Sequence, residues 1–210
     1  AGRPGGLGVI RGSYQNPYEL GSQFDFTQLL VPDLRDDLVR NLYYFGHGAT
    51  TYIGQRGVPQ FLSIDDFNLV LRNNFKDPLA GTNAHPFRFV WLDGCHTAKG
   101  NLCEAFGIPK EQNVSTNRFI ARGLRYRAFM GWNAGQLIGV GGSFSTTHAN
   151  FVGDFWDGWS GVNTNGQPRT LREAHTFGAT KRGTASPWQD AVDHLRIYGC
   201  EGLRWNDTLP

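Results

Sequence analysis

The sequence predicts an α/β layer fold built on a mostly parallel sheet. Residues 42–45, 87–92 and 127–130 are short, continuous apolar runs of the kind that buried parallel strands show. Segments with helical periodicity separate these runs. Because parallel neighbours need a long crossover, usually a helix, strands that alternate with helices imply an α/β sheet.

The first part of the chain carries the weakest signals. Residues 9–30 hold scattered apolar side chains among Gly, Asn, Gln and Pro, which place one short strand. Residues 33–40 form a predicted short helix that leads into the first buried run. We therefore expect residues 1–32 to be an N-terminal segment, with the question open whether strands of the fold are missing there, and residues 33–210 to form one domain.

Two capping signals mark helix starts. Ser63 is followed three residues later by Asp66, and Thr170 by Glu173; both pairs have the form of a capping box. Residues 102–106 and 116–124 are two further predicted helices.

Another helix carries a strongly apolar face, and residues 195–198 form a last predicted strand. We expect the aromatic stripe to pack in the core and not to hold a cofactor, because helical spacing of large apolar residues is typical of buried faces. The stripe consists of Phe144, His148, Phe151, Val152, Phe155, Trp156 and Trp159.

Composition and charge exclude several classes of partner. The chain of 210 residues has 20 basic and 18 acidic residues and a formal charge of +2, so no whole-chain field attracts nucleic acid or an anionic membrane. Its apolar runs are well below the roughly 20 residues that span a bilayer, and residues 1–8 lack a signal-peptide core. We expect a soluble domain in a compartment that the sequence does not reveal. The first residue is Ala1, which suggests a processed product or part of a larger polypeptide.

His47 and Cys95 each follow a predicted strand end. In an open parallel sheet, the loops beyond the carboxyl ends of the strands meet at one edge. An imidazole that takes the proton of a thiol provides a sufficient nucleophile and base for attack on a carbonyl. Gly48 leaves its N–H accessible, and together with the N–H of Cys95 it is predicted to hold an oxyanion. The sequence thus predicts a catalytic dyad.

Ordinary explanations exist for each residue of the dyad. A strand-end histidine is often satisfied locally, and free cysteine is among the most buried residue types. Taken together, with both on one predicted edge and both beside glycine, His47 and Cys95 favour catalysis. His96 does not indicate a metal site, because adjacent side chains on extended backbone point to opposite sides and no metal-ligand spacing accompanies it.

The remaining thiols and histidines are expected to be bystanders. The three cysteines form an odd set without the spacing of a disulfide framework. Cys103 and Cys200 have no flanking base or glycine motif. We expect His148, His175 and His194 to be structural or surface residues.

Two stretches resemble motifs of the caspase-like superfamily of cysteine peptidases (clan CD). Residues 43–50, Tyr-Tyr-Phe-Gly-His-Gly-Ala-Thr, look like its strand and His-Gly motif, and residues 93–97, Asp-Gly-Cys-His-Thr, resemble the Asp-x-Cys-His-Ser motif of metacaspases. Features downstream, including Gly131 and Trp132, resemble gingipain-like and CHAT-type members. The resemblance implies a caspase-like three-layer sandwich with a mostly parallel sheet and helices on both faces, and a catalytic domain within residues 33–210.

The same resemblance implies a specificity pocket. Asp93 matches the metacaspase acid that binds a basic P1 side chain, and a carboxylate in a partly dry pocket favours Arg or Lys. Trp132 matches a pocket wall of gingipain-like relatives. A strand-end Asp also caps backbone, and a Trp there equally serves packing, so both roles stay open at this point. The caspase pentapeptide Gln-Ala-Cys-x-Gly is absent, and Thr97 replaces the usual Ser.

The sequence therefore predicts a cysteine endopeptidase that acts on polypeptides after Arg or Lys and requires no cofactor. Some metacaspases need calcium, but no Asp-rich loop here indicates it. Regulation by a partner stays open. The alternative is a catalytically silent caspase-like scaffold or effector-binding module, because a fold does not guarantee a function. Retention of His47 and Cys95 argues against that alternative, whereas the short region before His47 keeps it open.

Overall fold

The computed structural model describes residues 41–55, 60–74, 87–115, 117–118, 126–134, 143–162, 165–182 and 193–207. Four sequence predictions lie wholly or almost wholly outside these residues: the N-terminal segment 1–32, the strand within 9–30, the helix at 33–40 and the helix at 116–124.

The described residues form six strands and four helices. The strands are β1 (Asn41–Phe45), β2 (Tyr52–Gln55), β3 (Gln60–Ser63), β4 (Phe89–Asp93), β5 (Ala128–Trp132) and β6 (Leu195–Gly199). The helices are α1 (Ile64–Asn74), α2 (Leu102–Ala105), α3 (Ser143–Ser160) and α4 (Leu171–Arg182). In this part of the chain, no helix combines the length and apolar character needed to cross a membrane.

Four strands form the main sheet, in the order β1-β4-β5-β6. Strand β4 pairs in parallel with β1 on one side and with β5 on the other, and β6 runs antiparallel to β5. The predicted α/β fold with a mostly parallel sheet is confirmed at this level.

Both faces of the sheet are covered. All five residues of β4 are buried, and successive side chains of a strand point to opposite faces. Val90 and Leu92 belong to a core cluster with residues of α1 and α2. Phe89 and Trp91 belong to a second cluster with residues of α3 and α4. The sheet thus lies between two helical layers, which explains why its strands are continuous apolar runs.

The part of the aromatic stripe of α3 whose side chains the structure describes packs in the core, as the sequence predicts. Phe151, Phe155 and Trp159 are fully buried against the sheet, and burial of a large apolar side chain contributes about 1.5–3 kcal/mol. Glycines let α4 approach closely, since a Cβ on Gly178 would lie 2.9 Å from the Phe151 ring.

The two predicted capping boxes are confirmed. The Ser63 N–H donates to Asp66 Oδ2 at 2.8 Å, and the Asp66 N–H donates to Ser63 Oγ at 3.2 Å. In the same way, the Thr170 N–H donates to Glu173 Oε2 at 2.8 Å, and the Glu173 N–H to Thr170 Oγ1 at 3.1 Å. Each pair satisfies backbone donors that have no partner inside the helix, so α1 and α4 begin where the sequence places them.

The strand bounds differ from the predictions by one or two residues. Strand β4 begins at Phe89, and β5 continues to Trp132, so Gly131 and Trp132 lie inside the strand and not after it. Strand β5 extends to Trp132 because it pairs antiparallel with β6, where Trp132 lies opposite Leu195.

The antiparallel hairpin of β2 and β3 is not among the predicted elements. Its strands have four residues each, and Gly54 stands inside one of them with φ of 94°. Strands this short show too little alternation to be recognised.

Candidate active site

His47 and Cys95 lie at the same edge of the sheet. In the parallel pairing of β1 with β4, Phe45 is the partner of Asp93. His47 follows Phe45 by two positions, and Cys95 follows Asp93 by two positions. The Gly46 N–H donates to the Asp93 carbonyl at 3.2 Å and continues the pairing beyond the end of β1. The neighbouring strands that the dyad requires are therefore present.

The two loops that carry these residues touch through their backbones. A Cβ on Gly94 would lie 2.9 Å from the Gly46 carbonyl oxygen and 3.2 Å from both the N and the Cα of Gly48. A Cβ on Gly48 would lie 3.1 Å from the carbonyl oxygen of Cys95. Only residues without a Cβ permit this approach, so the glycines beside both predicted catalytic residues bring the loops into direct contact.

The backbone of His47 is fixed while its side chain is exposed. Its carbonyl accepts hydrogen bonds from the Tyr44 hydroxyl at 2.8 Å and from the Gly54 N–H at 2.8 Å. Burial raises the pKa of Tyr44 to about 12, so its hydroxyl keeps its proton and remains a donor at neutral pH. The β2–β3 hairpin, absent from the predictions, thus helps to position the candidate base.

Cys95 lies on a tight turn. His96 has φ of 59°, and its N–H donates to the Ala134 carbonyl at 3.1 Å. The Ala98 N–H donates to the Trp132 carbonyl at 2.9 Å. The backbone here is therefore not extended, and the expectation that the side chains of Cys95 and His96 diverge as on a strand rested on the wrong conformation. Hydrogen bonds to the last residue of β5 and to the segment directly after it hold the turn in place.

Thr97 connects this turn to the sheet. Its side chain is fully buried, and its hydroxyl lies 2.6 Å from the Leu92 carbonyl oxygen and 2.9 Å from that of Gly94. Thr97 Oγ1 also accepts a hydrogen bond from the Trp132 N–H at 3.3 Å. The threonine that stands where metacaspases have serine therefore has a hydroxyl with a full set of partners.

The three cysteines, all within the described residues, differ in accessibility. Cys95 is partly exposed, whereas Cys103 and Cys200 are buried, and all three are free thiols. Burial raises the pKa of Cys103 to about 12 and that of Cys200 to about 11. Because the thiolate is the reactive form, these two residues are poor nucleophiles at neutral pH, as their predicted bystander role requires.

Two backbone donors flank the candidate nucleophile. Among the described residues, no backbone hydrogen bond uses the N–H of Gly48 or the N–H of Cys95. The isolated bridge between Gly48 and Ile53 is formed by the flanking residues, with the Gly54 N–H bonded to the His47 carbonyl and the Ala49 N–H bonded to that of Tyr52. Within the described residues, neither predicted oxyanion donor therefore has a backbone acceptor.

The side chain of Asp93 lies in a buried polar cluster on the α3 side of the sheet. It is 0% exposed and contacts three hydrogen-bonding side chains. Trp132 Nε1–H donates to Oδ1 at 2.6 Å, and the Tyr43 hydroxyl donates to Oδ2 at 2.9 Å. His148 Nε2 lies 3.2 Å from Oδ1 and 3.1 Å from Oδ2. The structure therefore brings together Asp93 and Trp132, the two residues predicted for P1 recognition.

His148 is the member of this cluster that sequence analysis missed. It is 5% exposed and lies in the second turn of α3, on the apolar stripe. The Phe45 ring stacks on it, with centroids 5.5 Å apart and planes at 26°, and this ring is itself 48% exposed. The helical spacing indicated that His148 is buried, but nothing in the sequence indicated its partner.

The described residues contain no group of three or more His, Cys, Asp or Glu side chains that is able to hold a metal ion. His175 is buried and packs edge-on against Phe151, while His194 is exposed. Both lie outside the cluster around Asp93.

The chain matches no protein-family model, no curated protein and no solved structure. What can be said of its function therefore comes from the contacts at this edge of the sheet.

Proposed function

We propose that the protein is a caspase-like cysteine endopeptidase in which Cys95 is the nucleophile and His47 the general base and acid. The observation that carries the proposal is the register of β1 and β4. It pairs Phe45 with Asp93. His47 and Cys95 each lie two positions beyond these paired residues, at one edge of the sheet. A mostly parallel sheet with helices on both faces also supports the caspase-like fold.

The reaction follows from these groups. His47 takes the proton of Cys95, and the sulfur forms a bond to the peptide carbonyl carbon. Collapse of the tetrahedral intermediate breaks the C–N bond, and His47 returns the proton to the leaving amine. A water molecule then attacks the thioester while His47 accepts its proton. Cleavage of the C–S bond releases the carboxylate and restores the thiol.

The exposure of the groups supports this assignment. A nucleophile must reach substrate, and Cys95 is the one cysteine of the three with partial exposure. His47 is exposed on the loop whose backbone contacts the Cys95 turn, and two hydrogen bonds hold its own backbone. The N–H groups of Gly48 and Cys95 lie on the two touching loops and are the proposed donors to the oxyanion. Preorganised donors of this kind typically contribute a factor of about 10²–10³ each in rate.

The proposal includes a preference for Arg or Lys at P1, with Asp93 as the recognising acid. The carboxylate belongs to the last residue of β4, two positions before the nucleophile. It is fully buried, where an attraction between charges is screened less than in water. Trp132 orients it through the hydrogen bond to Oδ1.

Hydrolysis of fluorogenic peptides tests the proposal. The peptides carry Arg, Lys or citrulline at P1, since citrulline has the shape of Arg without its charge. We expect cleavage after Arg and Lys that disappears in Cys95→Ala and in His47→Ala. The matched controls are Cys103→Ala, which removes a buried thiol, and His194→Ala, which removes an exposed imidazole; both should keep activity.

Two outcomes separate the parts of the proposal. Absence of Cys95-dependent cleavage of any peptide, with or without calcium, in a folded protein would favour the scaffold or effector-binding alternative. Equal cleavage after Arg and citrulline would remove the P1 assignment of Asp93 and leave the dyad intact.

A further inference from the structure

The three side chains that contact the Asp93 carboxylate come from different secondary-structure elements. Tyr43 belongs to β1 and Trp132 to β5, the two strands that flank β4. Each of them donates to one carboxylate oxygen. His148 comes from α3, outside the sheet, and its Nε2 contacts both oxygens.

The position of His148 is the one that a substrate cation would need. Its Nε2 lies almost equally far from the two oxygens, at 3.2 Å from Oδ1 and 3.1 Å from Oδ2, and so contacts both of them, whereas Trp132 donates to Oδ1 and Tyr43 to Oδ2. A guanidinium group binds a carboxylate most strongly when two of its N–H groups donate in parallel to both oxygens, and an ammonium group is attracted to the same carboxylate as a point charge.

Phe45 stacks on His148 and belongs to the strand that leads to the candidate active site. It is the residue paired with Asp93 and the second residue before His47. Its ring stacks on the imidazole and is 48% exposed, whereas His148 is 5% exposed. The imidazole of His148 therefore contacts the carboxylate through Nε2 and the half-exposed Phe45 ring through its face.

We propose that His148 is a specificity-determining residue that occupies the cation site of Asp93, with Phe45 as its outer cover, so that a basic P1 side chain binds only by replacing His148 on the carboxylate. This inference rests on the proposed function for its substrate. In this proposal His148 competes with the substrate for the Asp93 carboxylate and so lowers the affinity of the pocket for Arg and Lys. The preference for a basic P1 residue is therefore weaker than it would be if His148 did not contact Asp93.

Binding of benzamidine to Cys95→Ala protein tests the competition without any need for catalysis. Benzamidine carries an amidinium that resembles the Arg head group, and benzamide is its uncharged counterpart. We expect His148→Ala to lower the Kd of benzamidine about tenfold or more, as measured by calorimetry, and to leave that of benzamide unchanged. His175→Ala removes a histidine that is buried to a similar degree on α4, and it should change neither value. Adding Asp93→Asn should abolish the gain.

Three results would overturn the inference: no tighter binding in folded His148→Ala, an equal gain for benzamide, or a gain that survives Asp93→Asn. Should thermal denaturation show that His148→Ala is unfolded, Phe45→Ala decides, since its side chain is half exposed and its loss is expected to be tolerated. Loss of the stacked cover should tighten benzamidine binding in the same direction. An unchanged Kd in folded Phe45→Ala contradicts the proposal.

Cleavage data then distinguish this inference from the proposed function. In the active protein, His148→Ala should raise the ratio of kcat/KM for Arg over citrulline peptides, which a purely structural role would not change. If no variant cleaves any peptide, the peptidase assignment fails, but the benzamidine measurements still decide the role of His148.

Discussion

A Cβ atom on Gly48 would lie 2.7 Å from the Cγ2 methyl of Thr97. The loop that carries the candidate base and the turn that carries the candidate nucleophile are thus in van der Waals contact, with no room for another methyl group.

Gly48→Ala should therefore disturb both stability and activity. The added methyl forces the two loops apart, and we expect a loss of about 1–3 kcal/mol in the free energy of unfolding, measured in urea. Cleavage should fall about 100-fold, because small displacements of reacting groups are costly. Gly153→Ala is the matched control: nothing lies within 4 Å of its Cβ position in α3, so this change should be neutral or stabilising by up to about 1 kcal/mol. Wild-type behaviour of Gly48→Ala would contradict the close contact.

Thr97→Val should destabilise more than Thr97→Ser. Valine keeps the shape but leaves the Leu92 carbonyl and the Trp132 N–H without their hydroxyl partner, which costs about 1–3 kcal/mol. Serine keeps the hydroxyl and loses one methyl group, a change of about 1 kcal/mol. Thermal denaturation of the two variants compares them directly. The reverse order of stability would show that packing of the methyl, and not the hydroxyl, is the main contribution.

Alkylation should distinguish the three cysteines. With pKa values raised by burial to about 12 for Cys103 and about 11 for Cys200, less than about 0.1% of either is thiolate at pH 8. We expect iodoacetamide to modify Cys95 alone in the native protein, as read by peptide mass spectrometry, and all three residues in urea. Comparable labelling of Cys103 or Cys200 in the native state at pH 8 would contradict this prediction.

The capping box of α4 should make a small, pH-dependent contribution to stability. The hydrogen bond from the Thr170 N–H is the main reason that the pKa of Glu173 lies below its ordinary value of 4.5. Because the folded pKa is the lower one, this contribution is present above pH 4.5 and is lost as the pH falls through the folded value. The group is exposed, so screening keeps the effect small.

Two variants test this capping box. Thr170→Ala should cost about 1 kcal/mol of unfolding free energy at neutral pH. Glu173→Gln keeps an acceptor that does not titrate in this range, so its stability should depend less on pH between 3 and 5 than that of the wild type. Identical acid profiles for the two proteins would speak against the role of Glu173.

Local pattern located most elements of the described fold. The apolar runs became β1, β4, β5 and β6, and the pairs Ser63 with Asp66 and Thr170 with Glu173 fixed the starts of α1 and α4. These signals act over a few residues, through periodicity and capping. The β2–β3 hairpin escaped prediction because its short strands owe their stability to pairing with each other and to contact with the His47 loop.

The site shows the same division. Glycine beside His47 and Cys95, each after an apolar run, was enough to predict that both residues meet at one edge of the sheet. The side chains that contact Asp93 were not predictable. Tyr43, Trp132 and His148 are 50, 39 and 55 residues away from it in the sequence. Pairing across such distances leaves no periodic pattern in the chain.

The sequence by itself determined the class of fold and the chemical groups that end its central strands, because burial on both faces and helix capping impose local patterns on residue type. The tertiary structure alone decided the backbone contact between the two loops and the presence of His148 on the Asp93 carboxylate. Both depend on where α3 and the hairpin pack against the sheet, and such packing is set by contacts between residues far apart in the chain.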